Sequence, residues 1–157
     1  MVAVTSATTA ASGSQREGQS VDSLRKQLDL EVQALAPGWA LQPEVYPAGH
    51  GEKLCKWALS PADDKISIWV IEYPGAADAD ARLRGIRLSV GEHWVTGIGD
   101  AAFVGFVNRR GPASLYLRVD STYAQIFVPA AATSPDSAAV DLALRLGQGV
   151  ARIMGKR

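Results

Sequence analysis

The sequence predicts a single globular domain of the α+β class, with an antiparallel sheet of about five or six strands and helices on one face. Strand-like segments come in runs joined by short turns, and helix-like segments separate the runs. Hydrophobic residues make up 47% of the 157 residues, which is enough for one substantial core. The order of a helix, three strands, a helix, three strands and a helix also indicates a duplicated βββα unit.

The chain starts with a segment, residues 1–19, that is rich in Ala, Ser, Thr and Gly and that we expect to be a flexible leader. The globular domain then covers residues 20–157. Ser20 is the predicted N-cap of the first helix. Apolar residues recur at helical spacing as far as about Ala36, and Pro37-Gly38 ends the helix.

Three strands are predicted next, near residues 39–46, 54–60 and 65–73. The third is the most strand-like of them, because Ile, Trp and Val dominate it. The segment Pro61–Asp64 supplies a turn between the second and third strands. A second helix is predicted from Ala76 to about Leu88, after a Pro-Gly pair.

The second half of the chain predicts strands near 101–108, 113–119 and 122–129, followed by a final helix that ends at about Met154. Ser134 caps this helix, with Pro135 at its first position. Small residues fall four apart along it, and we expect this ridge to dock closely on the sheet, with a dimer contact as the alternative. The ridge consists of Ala139, Ala143, Gly147, Ala151 and Gly155.

The formal net charge is zero, which argues against a generic polyanion binder such as a nucleic-acid-binding protein. The total hides a division, however. Residues 1–80 hold six Lys/Arg and eleven Asp/Glu, a net −5, whereas residues 81–157 hold ten and five, a net +5. Either these charges mix on one surface, or the molecule is dipolar and presents a basic patch to an acidic partner.

Catalytic signatures are absent from the sequence, so we expect no enzyme, no cofactor and no metal site. The only histidines, His50 and His93, lack metal-ligand spacing. Cys55, the only cysteine, alternates with apolar residues and is expected to be a buried structural thiol. The segment Gly97–Ala102 fits a loose dinucleotide fingerprint, but it precedes a strand instead of a helix, and we interpret it as a turn.

The residues that indicate a contact surface are aromatic. If the aliphatic faces of the strands meet the helices, the opposite face displays Trp69, Tyr73, Tyr116, Arg118 and Tyr123. Aromatic and arginine side chains on one face are typical of protein-binding surfaces. A cover formed by the leader or a loop, or a homodimer contact, is the alternative for the same face.

Two fragments carry a resemblance to a known group of proteins. Leu54-Cys55-Lys56-Trp57 and the turn Gly97–Phe103, in this order of helices and strands, resemble small bacterial envelope domains of unknown function, often lipoproteins. The resemblance implies a periplasmic or extracytoplasmic location and a binding function. Cys55 lacks the partner cysteine that such domains carry in the first helix, so the cytoplasm stays open as the alternative location.

Two function classes follow from these observations. The first is a non-enzymatic, extracytoplasmic domain that recognises a protein partner, a class that includes inhibitors and immunity proteins. The second is a small-ligand sensor, or an enzyme of unrecognised type, with a pocket near the Gly97–Asp100 turn and His93. A homodimer is compatible with the first class, nucleic acid is not an expected partner, and membrane association is expected only through a lost lipid or signal anchor.

Overall fold

The computed structural model of the chain describes residues 13–43, 52–60, 63–87, 92–106, 112–130 and 138–155. Within these ranges the elements are α1 (Gly13–Leu35), β1 (Ala40–Leu41), β2 (Glu52–Ala58), β3 (Ile66–Glu72), α2 (Ala76–Arg87), β4 (Glu92–Val95), β5 (Ala101–Phe106), β6 (Ala113–Val119), β7 (Thr122–Val128) and α3 (Ala138–Met154). The strands form one antiparallel sheet in the order β1-β2-β3-β7-β6-β5-β4. The α+β class is confirmed, with seven strands instead of five or six.

Two meanders build this sheet. Strands β1 to β3 are neighbours in space as they are in sequence, and the same holds for β4 to β7. The meanders meet where their last strands pair, with Ile68 of β3 opposite Ile126 of β7. Between β6 and β7 the turn is tight, and Asp120 adopts a left-handed backbone with φ of 50°, which an aspartate tolerates better than most residues.

The main hydrophobic core lies on one face of the sheet, which we call the inner face. Helices α1 and α3 pack side by side on it, over aliphatic side chains such as Ile68, Leu115 and Ile126. Nine of the 17 residues of α3 are buried. Trp57 is fully buried in this core, and its indole N–H donates a hydrogen bond of 2.8 Å to Oδ1 of Asp29 in α1, so its polar atom is satisfied.

The ridge of small residues docks α3 on the inner face. Ala139 and Ala143 are buried there. At Gly147 a β-carbon would overlap the side chain of Leu115 in β6, so the helix reaches this close to the sheet only because the position lacks a side chain. The predicted docking of the ridge on the sheet of its own chain is confirmed at these three positions.

Helix α2 packs on the opposite face, the outer face, over β6 and β7. Leu83 joins a second, smaller core there with Ile71, Phe103, Tyr116 and Tyr123. The expected placement of the helices on one face therefore holds for α1 and α3 and is wrong for α2. The physical reason is that the central strands alternate between aliphatic and aromatic side chains, so both faces of the sheet are apolar and both need cover.

Several predicted boundaries shift. Helix α1 begins at Gly13, so it includes residues 13–19 of the predicted leader, and Ser20 lies inside the helix instead of capping it. Strand β4 was not predicted, because four residues that include Glu92 and His93 do not form a recognisable strand pattern. The duplication is not confirmed: α1 and α2 each precede a meander but lie on opposite faces, and the second meander has an extra strand.

Some expectations fall on parts of the chain that the structure does not describe. These are the leader residues 1–12, the turn residues Pro61 and Ala62, the helix end at Leu88, the predicted cap at Ser134 and Pro135, and residues 44–46 and 107–108 at the ends of two predicted strands.

Candidate functional site

All five residues that the sequence predicts for a contact surface lie on the outer face or directly beside it. Trp69 is in β3, Tyr116 and Arg118 are in β6, and Tyr123 is in β7, where it pairs with Arg118. Tyr73 follows β3 directly, and its backbone N–H donates to the carbonyl oxygen of Ser121 at 2.9 Å. The structure thus brings the five together, while their binding of a partner stays a prediction.

An aromatic row crosses the outer face. The ring of Phe103 stacks on that of Tyr116, with centroids 4.9 Å apart, and Trp94 meets Phe103 at 5.5 Å in a tilted arrangement. Offset and tilted ring pairs of this kind add stability to that gained from the burial of apolar area alone. In strand order, the row consists of Leu54, Trp69, Gln125, Tyr116, Phe103 and Trp94.

Sequence reasoning missed two aromatic members of this row, Phe103 and Trp94. Phe103 was detectable, because it alternates with Ala102 and Val104, which face the inner core. Trp94 was not detectable, because it lies on the unpredicted strand β4.

Helix α2 covers the middle of the row and the neighbouring Tyr123, and this corrects the expectation that every aromatic residue on this face is displayed. Tyr123 is 0% exposed and Tyr116 is 8% exposed, since both pack beneath Leu83. Trp69 and Tyr73 lie at the margin of this small core and remain half-buried. A helix of the chain itself, and neither the leader nor a loop, is therefore the described cover of these two tyrosines.

Arg118 ties α2 to the turn that precedes β5. Its Nη1 donates to Oδ2 of Asp100 at 3.1 Å, and its Nε lies 3.6 Å from Oδ1 of Asp80 in α2. The same Asp100 oxygen accepts the backbone N–H of Asp120 at 2.6 Å. Because only 18% of the Arg118 side chain is exposed, we interpret this arrangement as a structural clamp, and Arg118 is a weak candidate for direct contact with a partner.

The hydroxyl group of Tyr123 is buried and has no hydrogen-bond partner among the described residues. Burial raises the pKa of Tyr123 well above its ordinary value, and the nearby Arg82 guanidinium, 5.8 Å from the ring centroid, partly offsets this effect. A buried tyrosine hydroxyl normally finds a partner, so this one is an unsatisfied group at the contact between α2 and the sheet.

Beside α2, the outer face retains a half-buried area on β2, β3 and β7 that we call the outer patch. Trp69 packs against the edge of the small core, whereas Phe127 lies outside both cores. Strand residues on a solvated sheet face are usually polar, so a Trp and a Phe at adjacent positions depart from that rule. The outer patch consists of Leu54, Ser67, Trp69, Gln125 and Phe127.

Basic side chains lie next to the outer patch. Lys56 pairs with Ser67 on the same face of the sheet. Arg82 is an exposed residue of α2 and extends over Tyr123. Arg84, also on α2, is 70% exposed but forms an ion pair with Asp80 at 2.6 Å, which neutralises much of its charge.

The Gly97–Asp100 turn borders a shallow, open pocket of about 460 Å³ between the turn and the last turns of α3. Gly97 and Gly99 have φ of 79° and 58°, and a β-carbon at Gly99 would meet the carbonyl oxygen of Arg118 at 2.5 Å. The segment leads into β5, so its interpretation as a turn is confirmed. The pocket is lined by Gly97, Gly99, Asp100, Val119, Gln148, Ala151 and Arg152, and His93 does not line it.

The other residues that could act as metal ligands or catalytic groups do not lie together in the described part of the chain. In the part of the chain that the structure describes, no three His, Cys, Asp or Glu side chains are grouped as metal ligands would be. Cys55 is buried in the main core, as expected. His93 is exposed on β4, and His50 lies outside the described residues. None of the described helices has the length and apolar character needed to cross a bilayer.

Comparisons of this chain with protein-family models, with curated proteins and with solved structures found no match.

Proposed function

We propose that this chain is a non-catalytic module that binds a protein partner through the outer patch. The observation that carries the proposal is the pair Trp69 and Phe127, half-buried on a hydrogen-bonded sheet beside α2, which packs over β6 and over Tyr123 of β7. Large aromatic side chains with polar neighbours such as Gln125 are the usual anchors of protein interfaces, because they bury much area at a small entropic cost.

The chemistry around the patch defines the partner further. Arg82 extends over Tyr123 at its margin, and Glu52 and Lys56 lie on the same face of β2 as Leu54. The matching surface therefore has an apolar centre with charges of both signs around it, including an acidic group opposite Arg82. The patch belongs to a hydrogen-bonded sheet, so we expect little backbone movement on binding. Inhibitors and immunity proteins, which cover a site on another protein with a preformed surface, belong to this class of binder.

Crosslinking tests the position of the interface. A photoreactive phenylalanine analogue at Phe127 is expected to crosslink to one protein in extracts of the native cell, and Leu30 is the control position. Leu30 is an apolar residue of α1 that is 71% exposed on the other side of the molecule. Crosslinking to the same protein from both positions would contradict the proposal.

Affinity measurements with the purified partner then test the residues. Trp69→Ala is expected to weaken binding about 30-fold, which corresponds to roughly 2 kcal/mol, whereas the control Leu30→Ala leaves binding unchanged. Equal affinities of the two variants would overturn the proposal. Sedimentation of the free chain provides a further check: a dimer that dissociates on Trp69→Ala would show that the patch binds a second copy of the chain instead.

The extracytoplasmic location belongs to the same proposal and rests on the resemblance to envelope domains. Fractionation of the native cells, with detection by an antibody against the folded domain, tests it. Recovery of the protein in the cytoplasmic fraction alone would remove the envelope part of the proposal and leave the binding surface unaffected.

The pocket at the Gly97–Asp100 turn supports a second candidate function, the binding of a small polar ligand. Its lining combines Asp100, Gln148 and Arg152, which offer hydrogen-bonding groups and a cation to a small polar ligand. An anionic ligand would compete with Glu31, which pairs with Arg152 at 3.3 Å. A thermal-shift screen tests this candidate: a true ligand raises the melting temperature of the wild type and of Arg145→Gln, but not that of Arg152→Gln. Equal shifts of the melting temperature in the wild type and in both variants would exclude the pocket as the binding site of the ligand.

A further inference from the structure

We propose that α2 is a displaceable cover, which detaches from the outer face as a unit while the sheet and the main core stay folded. Its attachment is small. Ala79 and Leu83 are its only buried residues among those whose exposure is described, and Ile86 is half-buried at the edge of the small core, compared with nine buried residues in α3. Helices that bury few apolar side chains are the elements that open locally below the free energy of global unfolding.

The contact between α2 and the sheet also contains two unsatisfied polar atoms. The hydroxyl of Tyr123 and Nε of Arg118 are buried without a hydrogen-bond partner among the described residues. Detachment of α2 lets water reach both atoms, so hydration offsets part of the apolar contact that is lost. The polar contacts described between α2 and the sheet are long: Nε of Arg118 lies 3.6 Å from Oδ1 of Asp80, and the Arg82 guanidinium lies 5.8 Å from the centroid of the Tyr123 ring.

The chain around α2 is suited to such a movement. The hydrogen bond from Tyr73 to Ser121 holds the end of β3, and Pro74-Gly75 then separates this anchored point from the helix. Within α2, Gly85 has open space around the position of a β-carbon. A glycine in an open helical position lowers helix stability and forms no packing contact in return.

Detachment would enlarge the surface described under the proposed function, and this step of the inference rests on that function. Tyr116 and Phe103 continue the aromatic row from Trp69 and Gln125, and Tyr123 lies two residues from Gln125 on the same face of β7, so an open α2 joins these three rings to the outer patch. A partner that binds the open form more tightly shifts the population toward it. The position of α2 would then regulate how much of the face is available.

Thiol labelling of the free, full-length chain tests the movement. Ala79→Cys places a thiol on the buried side of α2, and Ala143→Cys is the matched control, because both alanines are 0% exposed on helices that pack on the sheet. We expect labelling at position 79 to be at least about tenfold faster than at position 143 under native conditions. Peptide mass spectrometry distinguishes both from Cys55.

Gly85→Ala provides the second measurement. A β-carbon at position 85 meets no neighbouring atom, and alanine raises the stability of the helix. The substitution should therefore slow labelling at position 79 several-fold and leave labelling at position 143 unchanged. Equal labelling rates at the two positions, or an equal effect of Gly85→Ala on both, would show that α2 opens only with the whole domain and would overturn the inference. Since no partner is used, this failure is distinct from a failure of the Trp69 affinity test.

Discussion

The hydroxyl group of Tyr123 is the clearest case in which a single atom weakens the structure. It is buried beneath α2 without a hydrogen-bond partner in the described part of the chain. Tyr123→Phe removes this group and keeps the ring, so we expect it to raise the free energy of unfolding by about 1 kcal/mol. Urea denaturation measures the change, and Tyr116→Phe is the control. A destabilised Tyr123→Phe variant would show that the hydroxyl is satisfied after all.

The same residue predicts a response to alkaline pH. Burial raises the pKa of Tyr123 in the folded protein, whereas the unfolded chain titrates near the ordinary value of 10.0. Above pH 10 the unfolded state therefore loses this proton more readily, and stability falls as the pH rises. We expect a smaller loss of stability above pH 10 in Tyr123→Phe than in the wild type. Parallel stability curves for the two proteins would contradict this.

Asp100 is the other residue whose contacts make it critical. Its Oδ2 accepts the Asp120 backbone N–H and faces Arg118, so it joins two turns and helps to place the clamp on α2. Asp100→Ala should lower the free energy of unfolding by about 1–2 kcal/mol, because it leaves the mostly buried Arg118 less well paired. The control is Asp63→Ala in an exposed turn, which we expect to change thermal stability little; a similar loss in both variants would argue against the clamp.

At the scale of elements, the same Gly→Ala substitution in two helices is expected to change the free energy of unfolding in opposite directions. Gly147→Ala forces a β-carbon of α3 into Leu115, and we expect a loss of about 1–3 kcal/mol despite the better helix propensity of alanine. Gly85→Ala meets open space in α2 and should gain about 0.5–1 kcal/mol. Thermal unfolding of both variants tests the pair, and a stable Gly147→Ala protein would contradict the described docking of α3.

The elements also show what sequence patterns can predict and where they stop. Strands such as β3 and β7 were predictable, because β-branched and aromatic residues alternate there over seven residues. Strand β4 has only four residues, which are too few to show the alternation that predicts a strand. The face covered by α2 was not predictable, because Ala79 and Leu83 form too narrow an apolar stripe to indicate a partner surface.

The same limit applies to the candidate site. Alternation placed Trp69, Tyr116 and Tyr123 on one face, and the structure agrees. It could not show that Leu83 buries two of them, since cover depends on contacts between elements that are distant in sequence. The part of the face that α2 leaves half-buried, which includes Trp69 and Phe127, became evident only from the position of α2.

At the scale of the whole molecule, ion pairs join the two differently charged parts of the chain. Strands β1 to β3 belong to the half with net −5, and β4 to β7 belong to the half with net +5. The strands of the two meanders lie side by side, but Glu31 of α1 pairs with Arg152 of α3, and Asp80 of α2 pairs with Arg118 of β6. Acidic and basic side chains of the two halves therefore mix on one surface, and the exposed Arg82 beside the outer patch is the group that can steer an acidic partner as it approaches.

This arrangement predicts how partner binding depends on salt. With an acidic partner, the association rate should fall about tenfold when the ionic strength rises from about 0.05 M to about 0.5 M, while the dissociation rate changes little. Stopped-flow or surface-based kinetics measure both rates. Arg82→Gln should reduce the salt dependence, and an association rate that does not change with salt would exclude electrostatic steering.

The pairing of β3 with β7 at the centre of the sheet has a consequence for the order of folding. Each meander contains only contacts between consecutive strands and can form early, whereas Ile68 must find Ile126 across the whole of α2 and the second meander. Contacts of such long sequence separation close late and slow a folding reaction. We therefore expect the central seam, and not the hairpins, to set the folding rate, so that the two meanders exist briefly as separate half-sheets with exposed inner edges.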